Sequence, residues 1–266
     1  MYKKRIVAFL AALLLFAAAV AALPVTVAFV DGTVEVQSKG AWKVLDFGDS
    51  FDSSQTVRLG SKAVLELSIQ GGDTLVLGNA GVYVIDTLIK KKAPAGVVAT
   101  VAAKLEKIAK GAGQESTAGG VRAEDVSDLG AELLWAGAGN EAEAMYNAGI
   151  NAYDEMDYPR AWELCLEAIR MYKEAADPAG AARAAWYASL SGLASGSGAK
   201  ALSALRQASP DDAAALRGSY VLALATLNAQ YGSPEEAKTL LKHALDEHWF
   251  DDPSMERDAR SLLADL

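Results

Sequence analysis

Two histidines and one cysteine are the rarest side chains here that can bind a metal or attack a substrate. His243 and His248 stand five residues apart, with Glu247, Asp251 and Asp252 beside them. Imidazole and carboxylate together are the ligand set of zinc and its neighbours. On a helix, residues share a face at spacings of three or four. A spacing of five separates the two rings, so the group reads as exposed helix-end polarity and no metal is assigned. Cys165 falls inside a helical pattern, at a position that faces a core, and reads as a small buried hydrophobe. A serine nucleophile would call for Gly-x-Ser-x-Gly, and a phosphate cradle for a Gly-rich loop before Lys-Ser/Thr; the sequence has neither. Its many carboxylates lie on helical patterns and read as solubilising. The expectation is therefore no catalytic residue, no cofactor and no metal, in a protein that is not an enzyme. A hydrolase site assembled between domains is the least supported alternative.

The elements that would position any site differ between the two halves. In the C-terminal half a small residue is followed twelve positions later by Ala, and seven after that by Ala again, with the exception of nothing in type but the first member: Gly149–Ala161–Ala168, Ser189–Ala201–Ala208 and Ala225–Ala237–Ala244. The middle Ala recurs after 40 and then 36 residues. A repeat of that length, each unit reading helix–turn–helix, predicts a helical solenoid. Small residues mark where paired helices cross, because a large side chain there would push the axes apart. Helix starts agree. Ser233-Pro234-Glu235-Glu236 offers a cap, a first-turn Pro and a Glu placed to bond back to the cap. Ser209-Pro210-Asp211-Asp212, Asp177-Pro178 and Asp252-Pro253 repeat parts of that pattern. Beyond the last of these, Met255, Ala259, Leu262, Leu263 and Leu266 share one helical face, as a terminal capping helix requires.

Two runs carry more than alanines. One reads Ala144-Met145-Tyr146-Asn147-Ala148-Gly149, then Asp157-Tyr158-Pro159-Arg160-Ala161, then Ala168-Ile169. The other reads Gly232-Ser233-Pro234-Glu235-Glu236-Ala237, then Leu240-Leu241 and Ala244-Leu245. These resemble the tetratricopeptide (TPR) repeat family, in units near Ala142–Ala175, Ala182–Ala213 and Gly218–Asp251. The departures are Ala152, where that family prefers an aromatic, and Gly196-Ser197-Gly198 in the second unit's turn. The resemblance implies a binding groove lined by the first helix of each unit. Its residues here would be Glu143, Tyr146, Ile150 and Tyr153, then Arg183, Trp186, Leu190 and Leu193, then Ser219, Leu222, Thr226 and Ala229. Asn147 and Asn151 lie beside the first set. Aromatics, amides and an Arg suit a peptide-binding groove. The competing reading packs Tyr146 and Trp186 against a neighbouring helix or the N-terminal domain.

From Val25 to Asp86 the texture turns to short β-rich runs. Val25–Val30 meets the Asp31-Gly32 turn before Thr33–Val36, and Lys62–Leu67 and Thr74–Leu77 flank Gly71-Gly72-Asp73, with Val82–Ile85 after them. Six or seven strands predict a small antiparallel sandwich or barrel. The landmarks are Gly32-Thr33-Val34, Trp42 with Leu45, Gly48-Asp49, Val57-Arg58-Leu59-Gly60 and Gly71-Gly72-Asp73 with Leu75 and Leu77. A late Gly119-Gly120-Val121-Arg122 follows. Their order resembles the exported FecR-type domain, in which Trp42 would be a core residue. Leu59 and the Ile69-Gln70-Gly71-Gly72 hairpin depart from it. In its best-known members that domain relays a signal from an outer-membrane receptor to a sigma factor; only Met1–Arg5 precede the apolar run here, so the resemblance is taken to imply an exported β module and not that activity.

Lys3, Lys4 and Arg5, the uncharged run Ile6–Leu23 and the small residues around Ala19-Val20-Ala21-Ala22 read as a bacterial secretory signal peptide over 1–22, with an uncleaved inner-membrane anchor facing the periplasm as the alternative. The lone Cys165 allows no internal disulfide. Removing the three basic residues Lys3, Lys4 and Arg5 takes the net charge from −9 to −12. So acidic a surface disfavours nucleic acid. The expected organisation is α+β and multidomain. A FecR-like β domain spans 24–87. A linker over 88–140 carries one amphipathic helix with Val97, Val101, Leu105 and Ile108 inward and Lys104, Lys107 and Lys110 outward. TPR-like repeats fill 141–266. Lys90-Lys91-Lys92 reads as a solvated run, and Gly111–Gly120 as flexible linker. The expected function is a periplasmic scaffold for protein or peptide partners in the cell envelope, touching a membrane only if the N-terminal segment is retained. Cell-wall polysaccharide binding or envelope signal relay are alternatives, and the oligomeric state is left open.

Overall fold

The computed structural model describes residues 23–89, 97–111 and 138–266. The signal segment 1–22, Lys90-Lys91-Lys92 and the Gly119–Arg122 motif lie outside the described residues. Among the described residues no helix is long and apolar enough to cross a membrane.

Eight strands form two antiparallel four-stranded sheets. They are β1 (Pro24–Asp31), β2 (Val34–Ser38), β3 (Ala41–Val44), β4 (Ser50–Asp52), β5 (Thr56–Leu59), β6 (Val64–Ile69), β7 (Thr74–Leu77) and β8 (Gly81–Val84). The first sheet runs β4-β1-β6-β7 and the second β3-β2-β5-β8. Alternation explains the core between them: Val25, Val27, Leu65, Leu67 and Ile69 from one sheet meet Val34, Val36, Val57 and Leu59 from the other. β6 is buried on both faces. Its odd-side residues fill this core, while Val64 and Glu66 point the other way, toward the helices. A bulge between Val27 and Phe29 lets β1 do the same, sending Val25 and Val27 inward and Phe29 against Trp162 at 5.9 Å.

Trp42 does not enter the core. It pairs with Gln37, and Val44 with Glu35, and both partners lie opposite in face to the buried Val34 and Val36. Trp42 therefore stands on the outer face of the second sheet, with the Arg58 guanidinium 4.5 Å above its ring. Arg58 also pairs with Glu35.

After the short helix α1 (Ile85–Ile89) comes α2 (Val97–Gly111), and then a helical region: α3 (Ala138–Asp154), α4 (Tyr158–Glu174), α5 (Pro178–Ala194), α6 (Gly198–Leu205), a 3-10 segment (Pro210–Leu216), α7 (Arg217–Tyr231), α8 (Pro234–Asp246) and α9 (Pro253–Asp265). Each helix from α3 to α6 packs on its successor, as do α7 on α8 and α8 on α9. The turns share one construction. Met156, Ala176, Gly196 and His248 all sit at positive φ. The amide one residue further on bonds back five residues, as in Asp157 to Ala152, Asp177 to Tyr172, Ser197 to Gly192 and Trp249 to Ala244. Asp157, Asp177 and Ser197 then cap the next helix. Ser233 caps α8 as expected, but the Glu236 carboxylate turns to Arg206 at 3.8 Å.

The small-residue triplets are all buried except Ala208, which lies past the end of α6. Ser209-Pro210 cuts that helix short, and the chain continues as a 3-10 turn with Ala214 at φ 44. The closeness of the crossings is real: a Cβ on Gly149 would come 2.6 Å from the Cys165 sulfur, and one on Gly192 would come 2.7 Å from the Ala201 backbone nitrogen.

The outer face of the first sheet rests on α6 and on the C-terminal end of α7. Ser197 Oγ donates to Glu66 at 2.6 Å and Ser203 Oγ to Asp31 at 2.5 Å. Arg206 donates to the Gly78 carbonyl at 2.8 Å, and the Gly78 amide to Tyr231 O at 2.6 Å.

Candidate functional site

A second face is built from α3, α5 and α7, the first helices of successive pairs, and from α9. It is occupied. Helix α2 lies on it, packed against α5, α7 and α9. Its buried stripe is Val98, Val101, Ala102, Leu105 and Ala109, a three-four spacing that winds along one side. Ile108, expected inward, is 45% exposed. The lysines Lys104, Lys107 and Lys110 face outward as expected. Leu105 and Ala109 join the core that holds Tyr153, Leu190 and Leu193. Val98 and Val101 join the one that holds Leu222, Ala259 and Leu262.

Polar contacts fix the helix at both ends and near its middle. The Asp265 carboxylate accepts from the Val97 amide at 3.2 Å, at the positive end of the helix dipole. Lys104 reaches both oxygens of Asp258 at 2.7 Å. Tyr153 donates its hydroxyl to the Ala109 carbonyl in the last turn.

The groove residues drawn from the sequence thus do not line an open surface. Tyr153 is 2% exposed beneath α2, and Tyr146 is 7% exposed. Tyr146 meets Tyr172 and Tyr187 edge-to-face at 6.4 and 5.8 Å. Trp186 is buried and tilted against Tyr220 at 6.4 Å, so for Tyr146 and Trp186 packing on neighbouring helices is what is found. Leu190, Leu193 and Leu222 are buried too, and Thr226 bonds its own helix at Leu222 O. Ile150, Asn147, Ser219 and Ala229 are half-buried, and Asn151 is exposed.

Glu143 and Arg183, assigned to different repeats, are brought together at 3.2 Å. The Arg183 guanidinium lies 5.2 Å from the Tyr146 ring and 5.9 Å from that of Tyr172, whose hydroxyl donates to Glu143. Burial raises the phenols of Tyr146, Tyr153 and Tyr172 above their ordinary range, and for Tyr172 the bond to Glu143 adds to it. Burial likewise pushes the Cys165 thiol up to about 12. These groups stay protonated at neutral pH, and none is a poised nucleophile or base. His243 stacks edge-on against Trp249 at 4.8 Å, and His248 occupies a turn at φ 54 with Nδ1 3.2 Å from Leu245 O. Among the described residues no group of three or more His, Cys, Asp and Glu side chains is placed to hold a metal ion.

Two functional candidates were missed in the sequence, Asp258 and Asp265. Their spacing of seven puts them on one face of α9, two turns apart, which was the available signal. Compared with protein-family models, with curated proteins and with solved structures, the chain matches none.

Proposed function

We propose that the chain is a non-enzymatic scaffold of the bacterial cell envelope, exported by its N-terminal segment. Its TPR-like repeats bind protein partners beside a FecR-like β module. The observation that carries this reading is α2 itself: a helix from outside the repeats rests across the first helices of the pairs. A face that accommodates an amphipathic helix along an apolar floor with carboxylates at its rim has what recognition of a protein segment uses.

Photo-crosslinking in the native envelope tests it. A photoreactive residue at Asn151, exposed on the α3 side of this face, is compared with one at Lys242, exposed on α8. A protein adduct from Asn151 and not from Lys242 supports the reading. No adduct, or the same adduct from both positions, overturns it.

A second reading rests on Trp42. An outward indole beside the exposed Val44, on a sheet face that also carries the exposed Val82 and Val84 at its opposite edge, is the kind of surface on which a sugar ring stacks, and would make the β module a polysaccharide reader. Co-sedimentation with isolated cell wall, abolished by Trp42→Ala, would favour it.

A further inference from the structure

The contacts of α2 are addressed to features any helix of the right pattern would carry. One is a free amide at its N-terminus, met by Asp265. Another is a cation seven residues after that amide, met by Asp258. The third is a carbonyl in the last turn, met by Tyr153. Between these runs the apolar stripe Val98, Val101, Leu105 and Ala109. Two of the three polar contacts come from α9, 168 and 154 residues away in the sequence, and the third comes from α3, 44 residues away. The site is therefore assembled mostly by residues remote from α2 in the chain.

We propose that this face is a receptor for a basic amphipathic helix, and that α2 holds it in cis as a competitor. A partner helix with the same stripe, a Lys or Arg at the position of Lys104 and an uncapped N-terminus takes its place. The charges agree with that choice. Asp265 meets the helix N-terminus and Asp258 meets Lys104, and α2 carries three lysines against one glutamate, Glu106, in a chain whose net charge is −9. The inference rests on the scaffold reading and specifies its partner. A resident helix lowers the apparent affinity for a competitor by the fraction of time the face is free. Because the two are joined, the resident is present at a high effective concentration, on the order of millimolar.

The probe is a fluorescent peptide with the sequence of residues 97–111, followed by anisotropy with the full chain. Two variants open the face. Val101→Asp with Leu105→Asp places carboxylates in the buried stripe. Lys104→Glu, at an exposed position, sets a like charge against Asp258. Hydrogen exchange on the same samples reports whether α5 and α7 remain protected. The double variant should bind the peptide at least about tenfold tighter than the wild type, and Lys104→Glu should fall between them. A peptide carrying its own Lys104→Glu should bind the opened chain more weakly, and Asp258→Lys in the receptor should restore it. Equal affinity in wild type and opened chain overturns the proposal. So does an opened chain that keeps α5 and α7 protected yet binds no peptide, and so does loss of that protection, which would make α2 a fixed part of the core. These outcomes are independent of the crosslinking at Asn151: peptide exchange without an envelope adduct would sink the scaffold reading and leave the receptor, and an adduct without peptide exchange would do the reverse.

Discussion

Gly192→Ala puts two opposing effects on one residue. Gly192 lies in the last turn of α5, where Ala would ordinarily be better by about 0.5–1 kcal/mol. Here the added Cβ would stand 2.7 Å from the Ala201 nitrogen, 3.2 Å from the Ala201 Cα and 3.1 Å from the Lys200 Cβ. Two of those atoms are backbone, and α6 can yield only by moving as a whole. Overpacking of this kind costs about 1–3 kcal/mol. The net expectation is a loss of about 1–2 kcal/mol, and at about 2–4 °C per kcal/mol a melting temperature lower by about 2–8 °C. Gly149→Ala is the comparison. Its Cβ would meet the Cys165 sulfur at 2.6 Å, and the two next atoms are no nearer than 3.4 Å. A thiol can rotate away, so the cost should lie near the lower end, about 1 kcal/mol, and be largely offset by the helix preference. Thermal and urea melts of both variants, read by far-ultraviolet circular dichroism, make the test. If Gly192→Ala raises the melting temperature, or if Gly149→Ala is clearly the worse of the two, the close α5–α6 crossing is wrong.

Other consequences are separable. Ala176 is held at φ 55, so Ala176→Gly should stabilise by about 0.5–1 kcal/mol in a urea melt, against the usual penalty for glycine. Tyr153→Phe removes the hydroxyl that reaches Ala109 O; it should cost about 0.5–1.5 kcal/mol and speed amide exchange within 97–111 before any other helix is affected. Asp258→Ala removes an exposed pair and should change global stability by no more than about 1 kcal/mol, while making exchange in α2 faster and less sensitive to salt. Because burial raises the Cys165 thiol from its ordinary 9 to about 12, the unfolded chain loses that proton first as pH rises. Its contribution to stability is whole below pH 9 and is lost between about 9 and 12, so Cys165→Ala should flatten the stability profile across that window.

What could be read ahead was local chemistry. The caps Asp177, Ser233 and Asp252 and the small residues at the crossings, Ala208 excepted, each act within one turn or one helix pair and were found where their pattern placed them; Asp157 and Ser197 cap as well, in stretches that read only as turns. The turns before those caps were harder. Their left-handed position is usually glycine, but Met156 and Ala176 fill two of them, and only Gly196 gives the ordinary signal. Trp42 went wrong through register. Its face follows from pairing with Gln37, one step out of phase with the buried Val36, and a one-residue step in a strand reverses the side. The face of α2 was mostly legible, yet the straight line Val97–Val101–Leu105–Ile108 was replaced by an arc ending on Ala109, where only a small side chain lets the backbone come close enough for Tyr153 to reach it.

Where α2 goes could not be read at all, because docking depends on residues far away in the chain. Lys104 and Asp258 are 154 residues apart and Ala109 and Tyr153 are 44 apart. Tyr153 looks the same in sequence whether it waits for a partner or is already covered. The distinction matters because the two cases differ in energy rather than in composition. An uncovered Tyr153 would leave Leu190, Leu193 and Leu222 in water alongside it, and an apolar face of that kind demands a cover. The sequence supplies one in the amphipathic helix α2, whose Lys104 meets Asp258 at the rim. Any partner for this face must therefore match the same stripe and the same charges, and must bind more tightly than a tethered copy of that pattern.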